Sequence, residues 1–182
     1  MASYHLERFS ILVVEDSLFI RSIIVRTLKA VGVGIVNTAS NGAEAIELMR
    51  QMSQDGRKAG LMSIDIVITD WVMDPVDGLM LLRWIRRHKE SPDRFMPVLM
   101  LTANTDFEGI VAARDCGVTE MMTKPFSMKT LTDKVQSIIE NPRQFIQAPT
   151  YFGPDRRRRQ MPMKGPNRRA MTEADMEIHY VS

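Results

Sequence analysis

The chain has 182 residues with 24 basic and 22 acidic side chains, a formal charge of +2 and 45% hydrophobic residues. This length suits one globular domain with a short extension and is too short for two full domains. The single cysteine, Cys116, excludes an intramolecular disulfide, and no apolar run approaches the ~18 residues of a membrane span. We therefore expect a cytoplasmic protein without membrane insertion.

Strands and helices alternate from the start of the chain. Residues 11–14 form a short apolar run that is typical of a strand buried on both faces. Residues 20–31 carry apolar side chains at helical spacing, and the unit repeats with a strand at 35–39 and a helix that opens at Asn41. The polar, glycine-containing stretch at 53–60 is predicted as a surface loop.

The same alternation continues to residue 141. Further strands are predicted at 64–69, 97–101 and 120–123, with helices that start near Gly78, Asp106 and Ser127. Five strands that alternate with five helices indicate an α/β fold, because right-handed crossovers then give a doubly wound parallel sheet with helices on both faces. We expect the flavodoxin-like strand order 2-1-3-4-5 within a domain of residues 1–141.

Residues 142–182 differ in composition from this domain. They contain five prolines and four consecutive arginines at 156–159, and they carry a net charge of +4 against −2 for residues 1–141. One interpretation is a basic, largely disordered tail. The other is a docking segment in which Tyr151 and Phe152 anchor on this domain or on a partner.

Polar residues lie where the predicted strands end, and they are Glu15, Asp16, Asp70, Thr102 and Lys124. Ligands of doubly wound sheets bind outside the carboxyl ends of the strands. Three carboxylates that converge there repel one another by roughly 4 kcal/mol per pair about 4 Å apart at an effective dielectric of ~20, so a cation is needed. Oxygen ligands without histidine or thiol favour Mg²⁺.

This set of residues also suits phosphoryl transfer. Asp70 stands alone at the end of the central strand and is the best candidate for a nucleophile that would form an acyl phosphate. The Lys124 ammonium and the Thr102 hydroxyl would stabilise charge on the transferring oxygens.

Four segments together resemble the receiver domain of two-component response regulators. They are residues 11–17 (ILVVEDS), 66–73 (IVITDWVM) with Asp77 and Gly78, 101–103 (LTA) and 124–126 (KPF). The resemblance covers roughly residues 9–141. It implies that Asp70 accepts a phosphoryl group from a phosphohistidine of a sensor histidine kinase or a phosphotransfer protein.

The resemblance also implies roles for the other residues at the strand ends. Glu15, Asp16, Asp70 and the backbone carbonyl of Val72 would bind Mg²⁺. Thr102 and the backbone amide of Ala103 would hold the phosphoryl oxygens, with Lys124 as counter-charge. The Lys124–Pro125 bond is expected to be cis, as in the family.

Two positions depart from the family pattern. Met121 occupies a position where receivers commonly have tyrosine or phenylalanine, whose ring moves inward as the threonine hydroxyl moves toward the phosphoryl group. Pro75 lies one residue later than the usual proline.

The extension is too short for a DNA-binding domain with its own core. We therefore expect a stand-alone phosphoacceptor switch rather than an enzyme. The output of this switch would be binding to an unidentified protein. Nucleic-acid binding through the arginines is the less favoured alternative, because no aromatic residues are interleaved in the basic run.

Overall fold

The computed structural model describes residues 5–59, 63–103, 106–156 and 177–179, with the backbone alone for 54–59 and 177–179. After a 3₁₀ turn at Leu6–Arg8, the elements are β1 (Ser10–Val14), α1 (Leu18–Ala30), β2 (Ile35–Ala39), α2 (Gly42–Ala59), β3 (Ile66–Asp70), α3 (Gly78–Arg87), β4 (Val98–Thr102), α4 (Phe107–Asp115), β5 (Glu120–Thr123), α5 (Met128–Glu140), β6 (Phe145–Ala148), β7 (Tyr151–Pro154) and β8 (Glu177–His179). No helix among the described residues is long and apolar enough to cross a membrane.

The main sheet has five parallel strands in the order β2-β1-β3-β4-β5. This confirms the predicted doubly wound, flavodoxin-like fold. Every residue of β1, β3 and β4 is buried, as their continuous apolar runs predicted. The registers bring Val14 opposite Thr69 and Asp70 opposite Leu101, so these strands end at one edge of the sheet.

Alternation along each strand divides the core into two layers. Leu12 and Val14 point to the side that is covered by α2, α3 and α4. Ile11 and Val13 point to the other side, where α1 and α5 pack. Helices therefore cover both faces, and the polar residues of the strand ends lie at the rim between them.

Helix α2 is longer than predicted. A surface loop was predicted at 53–60, and this prediction is wrong for residues 53–59, because the helix continues to Ala59. Polar residues indicate that a segment is not buried, but they are compatible with a helix on the protein surface. A single glycine such as Gly56 costs a helix about 1 kcal/mol, which neighbouring turns offset.

The chain continues beyond α5 into a β hairpin that packs on the domain. β6 and β7 pair antiparallel, with Ala148 opposite Tyr151, and β8 pairs with the other side of β6. The rings of Phe145 and Phe152 lie 5.3 and 5.4 Å from that of Phe95, in the loop before β4. Of the described extension, Tyr151 and Phe152 thus lie in the hairpin against this domain, while residues 157–159 of the arginine run lie outside the described residues.

Arg86 and Gly117 of the α/β domain contact the hairpin directly. The buried Arg86 guanidinium donates to the carbonyl oxygens of Gly117 (3.0 Å), Arg94 (3.0 Å) and Met96 (2.7 Å) and lies 5.1 Å from the centre of the Phe145 ring. Burial lowers the pKa of Arg86. Gly117 has a φ of +88°, and a Cβ there would lie 2.7 Å from the carbonyl oxygen of Phe152.

Candidate functional site

The residues predicted at the strand ends meet at one edge of the sheet. Asp70 is the last residue of β3 and is 8% exposed, and Thr102 is the last residue of β4 and is 2% exposed. Glu15 directly follows β1 and is 1% exposed. Lys124 follows β5, and its backbone amide donates to the Thr102 carbonyl at 2.7 Å. The ends of four neighbouring strands and their loops therefore hold the site.

Lys124 bridges two carboxylates. Its Nζ lies 2.8 Å from Glu15 Oε2 and 2.9 Å from Asp70 Oδ2. Burial alone would lower the pKa of Lys124, but the hydrogen bonds to Glu15 and Asp70 and the negative charge of both carboxylates together outweigh burial and raise that pKa. The ammonium is therefore charged at neutral pH and neutralises part of the acidic cluster.

Two opposing effects act on the pKa of Glu15. Burial raises the pKa of Glu15, and the hydrogen bond from Lys124 opposes that rise. Its Oε1 accepts from the Ser17 backbone amide at 3.2 Å. Asp70 is held similarly, because its Oδ1 accepts from the Trp71 backbone amide at 2.8 Å. Both carboxylates have fixed directions toward the centre of the site.

Glu15, Asp16 and Asp70 form a cluster that fits a hard cation. One carboxylate oxygen of each lies within 4.8 Å of those of the other two, and Asp16 is exposed where the other two are buried. All three ligands are carboxylate oxygens, which is the donor set that Mg²⁺ prefers. The cluster is therefore open to solvent at Asp16.

Two residues were predicted to contribute backbone atoms to the site. Val72 lies two residues after Asp70 with a side chain that is 72% exposed, so this apolar group points away from the core. Ala103 follows Thr102 and is exposed. Both lie in the loops that leave β3 and β4 at the site edge.

Two further residues, Arg21 and Gly78, hold the loops of the site. The Arg21 Nη1 donates to the backbone carbonyl of Glu15 at 2.8 Å. A Cβ at Gly78 would overlap the Asp70 carbonyl oxygen, and the Gly78 amide donates to the Trp71 carbonyl at 2.9 Å. The glycine directly after the N-cap Asp77 was the signal for a close approach, whereas nothing in the sequence indicated the Arg21 contact.

Of the two positions that depart from the family pattern, Pro75 lies in the loop after β3 and Met121 lies within β5. The Asp74–Pro75 bond is cis, as is Lys124–Pro125, and the second of these confirms the prediction. Met121, in β5, pairs with Met100 of β4 and packs partly buried against the core on the α2, α3 and α4 side. No aromatic ring occupies this position of β5.

Comparisons with known proteins cover the part of the chain that holds the site. A family model described as the response regulator receiver domain matches residues 11–136. The chemotaxis protein CheY-3 of Vibrio cholerae is 31% identical over 134 residues, which are 74% of this chain and 94% of that protein. The chemotaxis protein CheY homolog of Campylobacter jejuni is 32% identical over 129 residues, which are 71% of this chain and 91% of that protein.

A solved structure extends the likeness to three dimensions. The Vibrio cholerae chemotaxis protein CheY4, crystallised at low pH, is 30% identical and gives a TM-score of 0.59, with 71% of this chain and 98% of that chain covered. The family match ends at residue 136, before β6 begins. The hairpin therefore lies outside the matched region.

Proposed function

This chain belongs to the response regulator receiver domain family, and from that premise we propose that Asp70 is its phosphoacceptor. Receiver domains of this kind are phosphoacceptor switches in two-component signalling rather than conventional enzymes. We further propose that the phosphoryl group comes from a phosphohistidine of a sensor histidine kinase or a phosphotransfer protein. The output is binding to a protein that is not identified.

One observation carries the assignment of Asp70. Its carboxylate is nearly buried at the end of a central strand and lies 2.9 Å from the Lys124 ammonium. The same ammonium lies 2.8 Å from the carboxylate of Glu15. The Lys124 ammonium therefore places a positive charge beside Asp70, where a phosphoryl group would add negative charge. A purely structural aspartate needs neither the second carboxylate nor the open edge at Asp16.

The transfer itself requires little of the protein beyond positioning. A carboxylate oxygen of Asp70 bonds to phosphorus while the bond from phosphorus to the donor imidazole nitrogen breaks, and the ring, which already carries a proton on its other nitrogen, leaves as neutral imidazole. Lys124 and the Thr102 hydroxyl neutralise and bind the transferring oxygens, together with the Ala103 backbone amide. Trp71 holds Asp70 in place through its amide.

We propose that Glu15, Asp16, Asp70 and the Val72 carbonyl hold Mg²⁺, which supplies positive charge beside the phosphoryl oxygens when bound. The oxygen ligands of the three carboxylates support this assignment. Arg21 supports it indirectly, since its contact with the Glu15 carbonyl fixes the loop that carries Glu15 and Asp16.

The phosphoacceptor is tested by mass spectrometry of the intact protein after incubation with Mg²⁺ and a small phosphodonor. We expect the wild type to gain the mass of one phosphoryl group and Asp70→Asn to gain none. Asp74→Asn is the matched control, since Asp74 is an exposed carboxylate in the adjacent loop, and it should gain mass as the wild type does. A modified Asp70→Asn variant, or an unmodified wild type, would contradict the proposal.

A further inference from the structure

The side chain of Arg21 contacts the loop that carries two of the three clustered carboxylates. Arg21 lies in the first turn of α1, and its Nη1 donates to the backbone carbonyl of Glu15 at 2.8 Å. That carbonyl belongs to the peptide unit that joins Glu15 to Asp16. The guanidinium thus binds the backbone at the point between two of the proposed Mg²⁺ ligands.

Other hydrogen bonds hold the backbone around this peptide unit. The Glu15 amide donates to the Ala39 carbonyl of β2 at 3.1 Å, and the Ser17 amide donates to Glu15 Oε1 at 3.2 Å. The Glu15 carbonyl is held by Arg21. Because a peptide unit is planar, the direction of this carbonyl also sets the direction in which the chain enters Asp16.

The carboxylate of Asp16 depends on its backbone for its position. It is exposed, and among the described residues no side chain forms a hydrogen bond or an ion pair with it. Glu15 and Asp70, by contrast, are both held by Lys124. The distance of the Asp16 carboxylate from the other two therefore rests on the loop that Arg21 binds.

The charge of Arg21 would by itself oppose a bound cation. An arginine side chain is effectively always protonated, and like charges repel. An arginine beside a cation site therefore weakens cation binding through its charge, and it strengthens that binding if it holds the ligands in place. These two effects have opposite signs, so a substitution separates them.

We propose that Arg21 is a positioning residue of the Mg²⁺ site and makes this site selective for Mg²⁺ over Ca²⁺, an inference that rests on the proposed Mg²⁺ site. Mg²⁺ requires near-ideal octahedral geometry with ligands at about 2.0–2.1 Å, whereas Ca²⁺ accepts irregular geometry at about 2.3–2.6 Å. The contact with Arg21 keeps the carboxylates of Glu15 and Asp16 in one arrangement, as the ion with the stricter geometry needs. Without it the loop relaxes, and Ca²⁺ tolerates the change better.

Ion binding is measured on the full-length protein by the fluorescence of Trp71, which directly follows Asp70. The chain has two tryptophans, so every protein in the series also carries Trp84→Phe and the signal comes from Trp71. Mg²⁺ and Ca²⁺ are titrated separately, at constant ionic strength, into this parent protein and into the parent with Arg21→Met. Methionine keeps an unbranched apolar stem and removes both the charge and the hydrogen-bond donor.

We expect Arg21→Met to weaken Mg²⁺ binding roughly tenfold, at the low end of the losses of about 10–100-fold for residues that orient metal ligands. Ca²⁺ binding should weaken by no more than about twofold, since its coordination is flexible. Retained Ca²⁺ binding also shows that the variant is folded around an intact acidic cluster. A purely structural role would lower the affinity for both ions alike.

Arg26→Met is the matched control. Arg26 is an exposed arginine of the same helix, and its substitution removes the same charge from α1. The affinities for both ions should stay within about twofold of the parent values, because exposed charges away from the site are screened by salt. Equal effects of Arg26→Met and Arg21→Met would show that charge rather than position is responsible, and would overturn the proposal.

Three results with Arg21→Met would also overturn it. They are an unchanged affinity for Mg²⁺, a tighter one, as loss of the charge alone predicts, and an equal loss of affinity for both ions. Each of these leaves the proposed Mg²⁺ site standing. A parent protein that binds no Mg²⁺ would instead contradict the Mg²⁺ site and this inference together, so the two failures are distinguishable.

Discussion

At the scale of single residues, Lys124 has the most demanding environment in the site. It is the cation shared by Glu15 and Asp70, whose side chains are 1% and 11% exposed. Without it, two carboxylates would face each other with little solvent to screen them. Lys124 stabilises these two carboxylates and, in the proposed reaction, also neutralises negative charge on the phosphoryl group.

Replacing Lys124 with methionine keeps the aliphatic stem and removes the charge. We expect Lys124→Met to lower the free energy of unfolding by about 2–3 kcal/mol, somewhat less than for a fully buried pair because the ammonium is partly solvated. Added Mg²⁺ should stabilise this variant more than the wild type, since both carboxylates are then free to bind the ion. Urea unfolding with and without Mg²⁺ measures both effects.

Lys134→Met is the control for that comparison. Lys134 forms a more exposed ion pair with a single carboxylate, Glu120, away from the acidic cluster. Its loss should cost no more than about 1 kcal/mol, and its response to Mg²⁺ should equal that of the wild type. If Mg²⁺ stabilises Lys124→Met no more than the wild type, then Lys124 does not share its carboxylates with the ion.

At the scale of elements, one of the contacts that hold the hairpin is a close approach between two backbones. Gly117, in the turn between α4 and β5, approaches Gly153 and the Phe152 carbonyl. Its φ of +88° is also one that side chains disfavour. Arg86 reinforces the contact from below by binding the Gly117 carbonyl at 3.0 Å.

Gly117→Ala is therefore expected to destabilise the protein in two ways, through its backbone conformation and through the clash with the hairpin. Gly32→Ala introduces the first effect without the second. Gly32 has a similar φ of +93°, but a Cβ there would meet no atom within 4 Å. We expect Gly32→Ala to lose about 1–2 kcal/mol from the backbone conformation alone, and Gly117→Ala to lose clearly more because the hairpin must also move. Urea unfolding and limited proteolysis of the hairpin measure this, and equal losses in both would show that the hairpin does not rest on Gly117.

At the scale of the whole molecule, the sequence predicted what depends on local pattern. The apolar runs of β1, β3 and β4 marked buried strands, and their ends marked the edge where Asp70, Thr102 and Lys124 meet. Alternation of strands and helices was enough for a doubly wound parallel sheet, since right-handed crossovers place helices on both faces.

Other features depend on contacts between distant residues and left no local signal. The end of α2 was predicted as a loop because its residues are polar. Polar composition indicates that a segment is exposed to solvent, but it does not show whether the backbone is helical. The hairpin is held by Arg86, Phe95 and Gly117, which precede it by 25 residues or more and follow no periodic pattern with it. The contact of Arg21 with the Glu15 carbonyl is likewise visible only in three dimensions.

The most direct test of the phosphoacceptor is chemical trapping of the phosphorylated residue. An acyl phosphate is reduced by borohydride to an alcohol, whereas free carboxylates and phosphate esters are left unchanged. After incubation with Mg²⁺ and a phosphodonor, reduction with labelled borohydride and peptide mapping should place the label on Asp70 alone. Label on any other residue, or none in protein that has gained phosphoryl mass, would contradict the central role of Asp70.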